Sequence, residues 1–417
     1  MSILKVDKLH SESGANSNIE LDDSRNATCK GNLTTDGNLA VTGTSTFTGT
    51  VTLPSGTTSD TLSFRNVIIN GAMQVSQRGT SETGISSAGA FRKAPDRFKF
   101  SVDDGTWTAS QDSSGPPGFA NSYKVDCTTA DTSIAAGNEV KLDTKIEGQD
   151  LQHFCKGTSS AKKFCLQFWV KSNKTGNYAV QMRDQDNTRH VCHLYTISSA
   201  DTWEQKKVVF PADTTGAFGD DNGNSLTINW YLSVGTNKTS GTMDTAWASV
   251  TDANIAAGHN VNLADSTSNY FNITGIQLEA ADACTDFEHR SFQDELWRCQ
   301  RYCFMVQGNS AGEPSGFLGY VTSDGSNGKS SYAIRFNPPL RAGPAYSDSG
   351  TGMKMYAYTN SGSSGSGRTM PVYNANPSDN SCTNARVEFE VTGHGSPGTC
   401  GQLYFMEAGW MKFDAEL

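Results

Sequence analysis

Short segments in which apolar and polar residues alternate recur through this chain, and they restrict it to a fold rich in β-strands. Turn signals such as KSNKTGN and GTNKTSG separate these segments. Several short antiparallel strands at this spacing are typical of a jelly roll, which we expect over residues 61–287. In the two clearest segments every second residue is apolar, the period of a strand with one buried face: Phe164, Leu166, Phe168 and Val170, and Ile228, Trp230, Leu232 and Val234.

A six-residue repeat precedes this region, with glycine at Gly31, Gly37, Gly43 and Gly49. Four hexads are too few for a single-chain β-helix to bury a core, whereas several identical chains wound round one axis would bury the third and fifth positions together. The repeat therefore predicts an intertwined β shaft over residues 14–60, and a flexible Gly/Thr linker is the alternative. The shaft core would consist of Leu33, Leu39, Val41, Phe47, Val51 and Leu53.

One stretch has the period of a helix instead of a strand. Ser291 followed by Asp294 is a helix-start signature, and Asp294 lies one turn before Arg298. We expect a short connecting helix within residues 288–304 that buries one apolar stripe. The stripe consists of Phe292, Leu296, Cys299 and Cys303.

Ten cysteines are scattered without paired spacing, which does not indicate a disulfide framework. We expect all ten to be reduced, most of them as small core residues. A zinc site on Cys284, Cys299 and Cys303 is the alternative, although no Cys-x-x-Cys or paired histidine supports it. The turn FGDDNGN could bind a structural Ca²⁺, but it lacks a distal bidentate Glu. We therefore expect no metal and no cofactor.

A second β-rich region, residues 305–417, follows the helix and predicts a C-terminal β-sandwich head. In its segment MKMYAY the methionines alternate with polar and aromatic residues, so Lys354, Tyr356 and Tyr358 are expected to point outward. Tyr231 faces away from the predicted core of its own strand in the same way. Such tyrosines can stack on sugar rings while polar neighbours bind the hydroxyls. Packing against a neighbouring protomer or sheet is the alternative for each.

Charge and hydropathy exclude several classes of partner. The formal net charge is −10 and no Lys/Arg cluster is longer than a pair, which argues against nucleic-acid binding. No run approaches the ~18 apolar residues that cross a bilayer, so we expect no membrane insertion. The N-terminal segment has no apolar core of signal-peptide length, and we expect synthesis in the cytosol of the producing cell.

Catalysis would need paired carboxylates or a nucleophile with its base. No P-loop or HExxH motif is present. The tight acidic groups lie in turns or beside the helix start, where solvated or capping acids are the rule, and we expect no enzymatic activity. These groups are Asp184 with Asp186, Asp220 with Asp221, and Asp286 with Glu288 and His289.

Two arginines lie in polar segments near the start of the predicted jelly roll. We expect Arg78 and the pair Asp96–Arg97 to be structural, because arginine forms bidentate links to carboxylates. They would bridge loops to the sandwich or join protomers.

Four motifs occur in a fixed order, IINGAMQVSQRGTS, APDRFKF, ITGIQLE and DFEHRSFQDELWRCQRY. Together they resemble the framework of bacteriophage tail fibre and receptor-binding proteins. The resemblance implies a homotrimer in which a Gly-rich shaft leads to a carbohydrate-binding-like jelly roll, a short helix and a C-terminal head. This chain departs from the commoner pattern at Phe98, Asp286 and Cys303, where that pattern has Trp, Pro and Tyr. The head matches by position only.

The resemblance also implies a function. Residues 1–13 would dock onto tail proteins of the virion, and residues 305–417 would form the receptor-binding tip. Such a fibre, assembled in the host cytoplasm, attaches the phage to its bacterial host by non-catalytic recognition of a surface glycan or outer-membrane protein. A polysaccharide-depolymerising tailspike and a structural spacer or adaptor of the tail are the alternatives.

Overall fold

A computed structural model of the chain separates it into two units, Met1–Leu53 and Pro54–Leu417. The predicted shaft core, Leu33, Leu39, Val41, Phe47, Val51 and Leu53, lies outside the described residues. The structure describes residues 8–10, 17–21, 27–29, 64–86, 89–91, 94–307, 313–323, 327–348, 353–357, 364–366, 368–369, 382–392, 400–405 and 409–417.

In the first unit, β1 (Lys8–His10), β2 (Ser17–Leu21) and β3 (Ala27–Cys29) form a three-stranded antiparallel sheet. The middle strand β2 pairs with both neighbours.

The second unit contains a sandwich of two antiparallel sheets. The front sheet has the strand order β15-β12-β11-β14-β9-β6-β5, and the back sheet has the order β13-β10-β16-β8-β7-β4. The strands are β4 (Ser81–Ile85), β5 (Gly89–Phe91), β6 (Phe98–Val102), β7 (Thr106–Asp112), β8 (Ser122–Thr129), β9 (Glu139–Glu147), β10 (Phe164–Ser172), β11 (Gly176–Asp184), β12 (Arg189–Ile197), β13 (Glu204–Phe210), β14 (Asn224–Val234), β15 (Ala248–Ser249) and β16 (Tyr270–Ala280). Short 3-10 helices interrupt the connections at Gly148–Asp150, Gln152–Phe154, Thr236–Lys238, Asp252–Asn254 and Leu263–Asp265.

The core between the two sheets is built from the alternating residues. Phe168 on β10 meets Trp230 on β14 with ring centroids 5.9 Å apart, and the two rings are nearly perpendicular. Each such side chain contributes roughly 1.5–3 kcal/mol by leaving water. Val234 leaves this core because a register shift lies between Tyr231 and Ser233. The other seven residues of the two alternating segments are buried in the core, as predicted: Phe164, Leu166, Phe168, Val170, Ile228, Trp230 and Leu232.

The described residues contain one α-helix, α1 (Phe292–Gln300). The Ser291 hydroxyl accepts the N–H of Asp294 at 3.2 Å, which confirms the predicted start. None of the helices in the described ranges is long and apolar enough to cross a membrane.

The predicted apolar stripe of α1 is wrong at its first position. Phe292 is 57 % exposed and Leu296 is half-buried, whereas Cys299 is buried. Cys303 is also buried but belongs to the following strand. The helix turns Glu295 toward the sandwich instead, because the Glu295 carboxylate accepts the N–H of Asn70 at 2.6 Å.

The four motifs of the resemblance meet at a junction beneath α1. Asn70, in the first motif, donates to the carbonyls of Val75 and Asp96 at 2.8 and 2.9 Å. The carbonyl of Gly71 accepts the N–H of Ile276, in the third motif, at 3.0 Å. A Cβ on Gly71 would lie 2.1 Å from the Ile276 carbonyl oxygen, so the backbones approach as closely as glycine permits.

The C-terminal residues pack on this junction. Buried Arg78 pairs with Asp96 at 3.4 Å and with Glu416 at 3.0 Å. Arg97 also pairs with Glu416, and its guanidinium lies 3.3 Å from the ring centroid of Tyr302. The predicted bridging role of both arginines is therefore confirmed within one chain.

Beyond α1 the described residues again lie mostly in β-strands, which confirms the mostly-β prediction. A three-stranded sheet has the order β17-β26-β20, and a seven-stranded head sheet has the order β22-β21-β25-β18-β19-β24-β23. The strands are β17 (Cys303–Gln307), β18 (Glu313–Ser323), β19 (Asn327–Leu340), β20 (Ala345–Asp348), β21 (Met353–Ala357), β22 (Ser364–Ser366), β23 (Arg368–Thr369), β24 (Cys382–Thr392), β25 (Cys400–Phe405) and β26 (Trp410–Asp414).

The prediction that all cysteines are reduced is wrong for one pair. Cys165 on β10 and Cys284, in the loop before α1, form a disulfide across 119 residues of sequence. The pairing removes Cys284 from the zinc alternative, because its thiolate is no longer available as a ligand. Spacing along the chain could not reveal it, because the loop after β16 returns over β10.

Candidate functional site: an aromatic face on the back sheet

The outer surface of the back sheet carries half-buried aromatic rings. Because Phe168 and Val170 face the core, the alternation of β10 turns Trp169 and Lys171 outward, and both are half-buried. Three further half-buried rings come from neighbouring segments. We define the aromatic face as the rings of Phe119, Trp169, Trp203 and Tyr270 together with the polar side chains beside them, which are Lys124, Lys171, Asn272, Asp112, Asp126 and Asp201.

At one end of the aromatic face a lysine lies between two rings. The Nζ of Lys171 is 5.2 Å from the ring centroid of Trp203 and 5.9 Å from that of Tyr270. Lys124 lies 5.3 Å from the Tyr270 centroid. The ring of Tyr270 therefore has two ammonium groups close by, an arrangement that favours ligands rich in hydroxyl groups over cations.

The floor between these lysines is an asparagine. Asn272 on β16 stands opposite Lys171 on β10 and opposite Lys124 on β8. Its amide donates to Asp112 at 3.1 Å and to Ser122 at 2.9 Å. Its Oδ1 is buried and accepts no hydrogen bond within the described part of the chain. A buried acceptor without a donor favours a ligand or water that supplies one.

At the other end two rings meet over a glycine. Gly275 has φ +64°, and an ideal Cβ there would lie 2.8 Å from Phe119 Cζ and 2.9 Å from Trp169 Cδ1. Phe119 also packs against Phe287, with ring centroids 4.9 Å apart, and against His289 at 5.2 Å. The absence of a side chain at Gly275 thus lets the rings of Phe119 and Trp169 approach each other on the open side of the sheet.

The acids of the aromatic face are each held by a neighbour. Asp126 pairs with Lys124 at 2.8 Å, Asp112 accepts from Asn272 as described, and Asp201 accepts the hydroxyl of Tyr270. Burial raises the pKa of Tyr270, and the hydrogen bond to Asp201 raises it further, so the phenol stays protonated. These contacts provide hydrogen-bonding groups beside apolar rings, which is the combination that recognises a sugar.

Tyr231 was predicted to be exposed, but it is buried, with 2 % of its surface exposed. It does face away from Trp230, but the segment after β14 folds back over the front sheet and packs Ile255 and Ala256 against it. Its hydroxyl donates to Gln181 Oε1 at 2.9 Å. The tyrosine therefore belongs to a covered network and is not available to a receptor.

The same network contains a cysteine, a histidine and an aspartate whose contacts follow the pattern of a catalytic triad, with the histidine between the other two. Cys192 Sγ is 3.7 Å from His190 Nδ1, and His190 Nε2 is 2.9 Å from Asp244 Oδ2. However, Gln181 also contacts His190 Nδ1, at 3.0 Å, and burial raises the pKa of the Cys192 thiol. A buried thiol with a raised pKa is a poor nucleophile, so the arrangement is structural.

The acidic groups singled out in the sequence have structural partners. Asp186 accepts the N–H of Gly219 at 2.8 Å, and Asp221 accepts that of Gly223 at 2.8 Å. Glu288 accepts the N–H groups of Phe64 and Asn66. Asp184 pairs with a buried lysine. In the described ranges no cluster of three or more His, Cys, Asp or Glu residues could hold a metal ion.

Of the candidates in the head, Lys354 and Tyr356 lie on β21, opposite Tyr404 and Gln402 of β25. Tyr358 lies outside the described residues. The prediction that these three residues bind a receptor stays a prediction.

Comparisons with known proteins found no matching family model and no matching curated protein. Among solved structures, the chain is similar to the enzymatically active domain of tailspike protein 4 from bacteriophage CBA120, with 13 % identity over 52 % of this chain and 21 % of that one, at a TM-score of 0.27. The match thus spans about a fifth of the tailspike domain.

Two sugar-binding proteins match along nearly their whole length. A putative sugar binding protein from Bacteroides thetaiotaomicron has 12 % identity over 52 % of this chain and 99 % of its own, at a TM-score of 0.30. A family 11 carbohydrate-binding module from Clostridium thermocellum, in complex with a mixed-linked tetrasaccharide, has 12 % identity over 49 % and 98 %, at 0.24. At these identities and TM-scores, none of the three likenesses assigns a function to this chain.

Proposed function

We propose that the protein is a bacteriophage tail fibre that binds a glycan of the host cell surface through the aromatic face. The observation that carries the proposal is the row of half-buried rings, Trp169, Trp203, Tyr270 and Phe119, on the open side of the back sheet. The order of the four sequence motifs supports the tail-fibre assignment. The predicted tip of the fibre, residues 305–417, would provide further contacts.

The mechanism is recognition without turnover. The C–H faces of sugar rings would stack on the aromatic rings, and the hydroxyls would bind the ammonium groups of Lys171 and Lys124. An open sheet surface gives weak single contacts, and several copies on one virion would multiply them into strong attachment. The homotrimer implied by the resemblance supplies three copies per fibre.

The proposal is tested by binding of the purified full chain to host surface polysaccharide, measured by calorimetry. Trp169→Ala and Trp203→Ala should each weaken binding by roughly tenfold, the loss of about 1.4 kcal/mol of stacking. Trp297→Ala is the matched control, because Trp297 is 50 % exposed on α1 and lies outside the aromatic face. Equal binding by all four proteins would exclude the aromatic face as the binding site.

Two further measurements separate the alternatives. Release of reducing ends from the polysaccharide would favour the depolymerising tailspike over simple attachment. Light scattering of the full chain should give the mass of a trimer, and a monomer would contradict the shaft interpretation.

A further inference from the structure

At the rim of the sandwich a lysine ammonium is enclosed by oxygen atoms. The side chain of Lys156, in the connection after β9, is 0 % exposed. Its Nζ lies 2.6 Å from Asp184 Oδ2 and 3.1 Å from Asp213 Oδ2. It also donates to the backbone carbonyls of Thr215 and Gly216 at 3.1 and 2.6 Å. Two carboxylates and two carbonyls therefore form an oxygen cage around one positive charge.

The two carboxylates of the cage are fixed by other partners. Asp184 Oδ1 accepts the N–H of Asn187 at 3.0 Å. Asp213 accepts from Arg189 at 2.8 and 3.2 Å and from the N–H of Thr215 at 3.0 Å. Burial alone would raise the pKa of Asp213, but these hydrogen bonds and the one from Lys156 outweigh it and lower the pKa. Asp213 thus keeps its negative charge at neutral pH, and the hydrogen bonds fix the positions of both carboxylates.

The cage joins three separate segments. Lys156 comes from the connection between β9 and β10, Asp184 ends β11, and Asp213 to Gly216 belong to the connection between β13 and β14. Two of these segments approach each other closely at Gly157, because an ideal Cβ there would lie 2.4 Å from the backbone nitrogen of Ala217. Without Lys156, Arg189 would be the one cation in the described ranges left beside the two carboxylates, and their mutual repulsion would weaken the contact between these segments.

Carboxylate and carbonyl oxygens are also the ligands that hard divalent cations take in proteins. Ca²⁺ binds such oxygens at ~2.3–2.6 Å in flexible geometry, whereas Mg²⁺ requires ~2.0–2.1 Å in a strict octahedron. Two of the four oxygens already lie 2.6 Å from the centre of the cage, and the two at 3.1 Å would need to move inward by about 0.5–0.8 Å for Ca²⁺, while water could complete the coordination.

We propose that Lys156 is a tethered cation that occupies what would otherwise be a Ca²⁺ site. The lysine makes the rim of the sandwich independent of divalent ions, and its removal converts the oxygen cage into a site that binds Ca²⁺. This role of Lys156 is independent of glycan binding.

The test compares three full-length proteins by thermal unfolding with added Ca²⁺ or with EDTA. The wild-type Tm should be the same in both conditions. Lys156→Ala should unfold on the order of 10 °C lower in EDTA, because buried Asp184 loses its counter-charge and Asp213 keeps only Arg189. Millimolar Ca²⁺ should restore most of that loss, and Mg²⁺ should restore less.

Lys156→Met is the matched control, because its side chain fills the space of the lysine stem but brings no charge. It should be destabilised like Lys156→Ala and should gain little from Ca²⁺. A Lys156→Ala protein that folds but shows no Tm shift with Ca²⁺ would overturn the proposal. So would a wild-type protein that loses stability in EDTA, and this second result does not require any variant to fold.

Discussion

Substitution of Gly275 by alanine tests the geometry of the aromatic face. Gly275 has φ +64°, a region in which a residue with a side chain costs about 1 kcal/mol, and its Cβ would press on Phe119 and Trp169 at 2.8 and 2.9 Å. Overpacking at such distances costs about 1–3 kcal/mol. Together the two costs would lower the unfolding free energy by about 2–4 kcal/mol. Because both rings are half-buried and can move outward, we expect a loss near the lower end of this range.

Gly84→Ala isolates the backbone contribution. Gly84 has φ +72°, in the same region, and nothing lies within 4 Å of its ideal Cβ. The difference in unfolding free energy between the two variants therefore measures the displacement of the rings alone, which we expect to be about 1–2 kcal/mol in urea titrations.

Glycan binding by the same two proteins completes the experiment. Gly275→Ala should bind host polysaccharide at least several-fold more weakly, since Phe119 and Trp169 would no longer lie in one surface, and Gly84→Ala should bind like the wild type. If the two variants are equal in both stability and binding, the described packing of Phe119 and Trp169 over Gly275 is refuted.

Three further predictions concern stability. Glu416→Gln should lower the unfolding free energy by about 3–5 kcal/mol in urea, because the buried side chains of Arg78 and Arg97 share that carboxylate. A loss below 1 kcal/mol would contradict the structural role of these two ion pairs. Burial lowers the pKa of His259 from 6.5 to about 4. The contribution of neutral His259 to the unfolding free energy is therefore complete above pH 6.5 and is lost as the pH falls toward 4, by at most about 3 kcal/mol. His259→Gln should make the unfolding free energy depend less on pH over this range. Reduction of the Cys165–Cys284 disulfide, which closes a loop of 119 residues, should cost about 4–5 kcal/mol in urea titrations, and Cys165→Ala should respond to no reductant.

The sequence predicted the parts of the fold that depend on local pattern. Alternation identified the core side of β10 and β14, because a strand with one buried face must follow a period of two. The same pattern also places Trp169 and Lys171 outward, so two residues of the aromatic face could have been read from it. The start of α1 was equally local, because Ser291 caps the helix within its own turn.

What the sequence could not predict depends on segments distant along the chain. Tyr231 was expected outside, and only the return of residues near Ile255 covers it. Phe292 was expected inside, but the acceptor role of Glu295 toward Asn70 fixes the helix in another rotation. Trp203 and Tyr270 become neighbours of Lys171 only through the pairing of β10 with β13 and β16, which no local period encodes.

The most direct test of the proposed attachment role is competition between the purified protein and the phage that would carry it. Host cells are incubated with purified full-length protein before the phage is added, and the fraction of adsorbed virions is measured. The account predicts that wild-type protein and Trp297→Ala block adsorption in a concentration-dependent way, whereas a protein carrying both Trp169→Ala and Trp203→Ala blocks it at least tenfold less effectively. Equal blocking by the double variant, or no blocking by the wild type, would contradict attachment through the aromatic face.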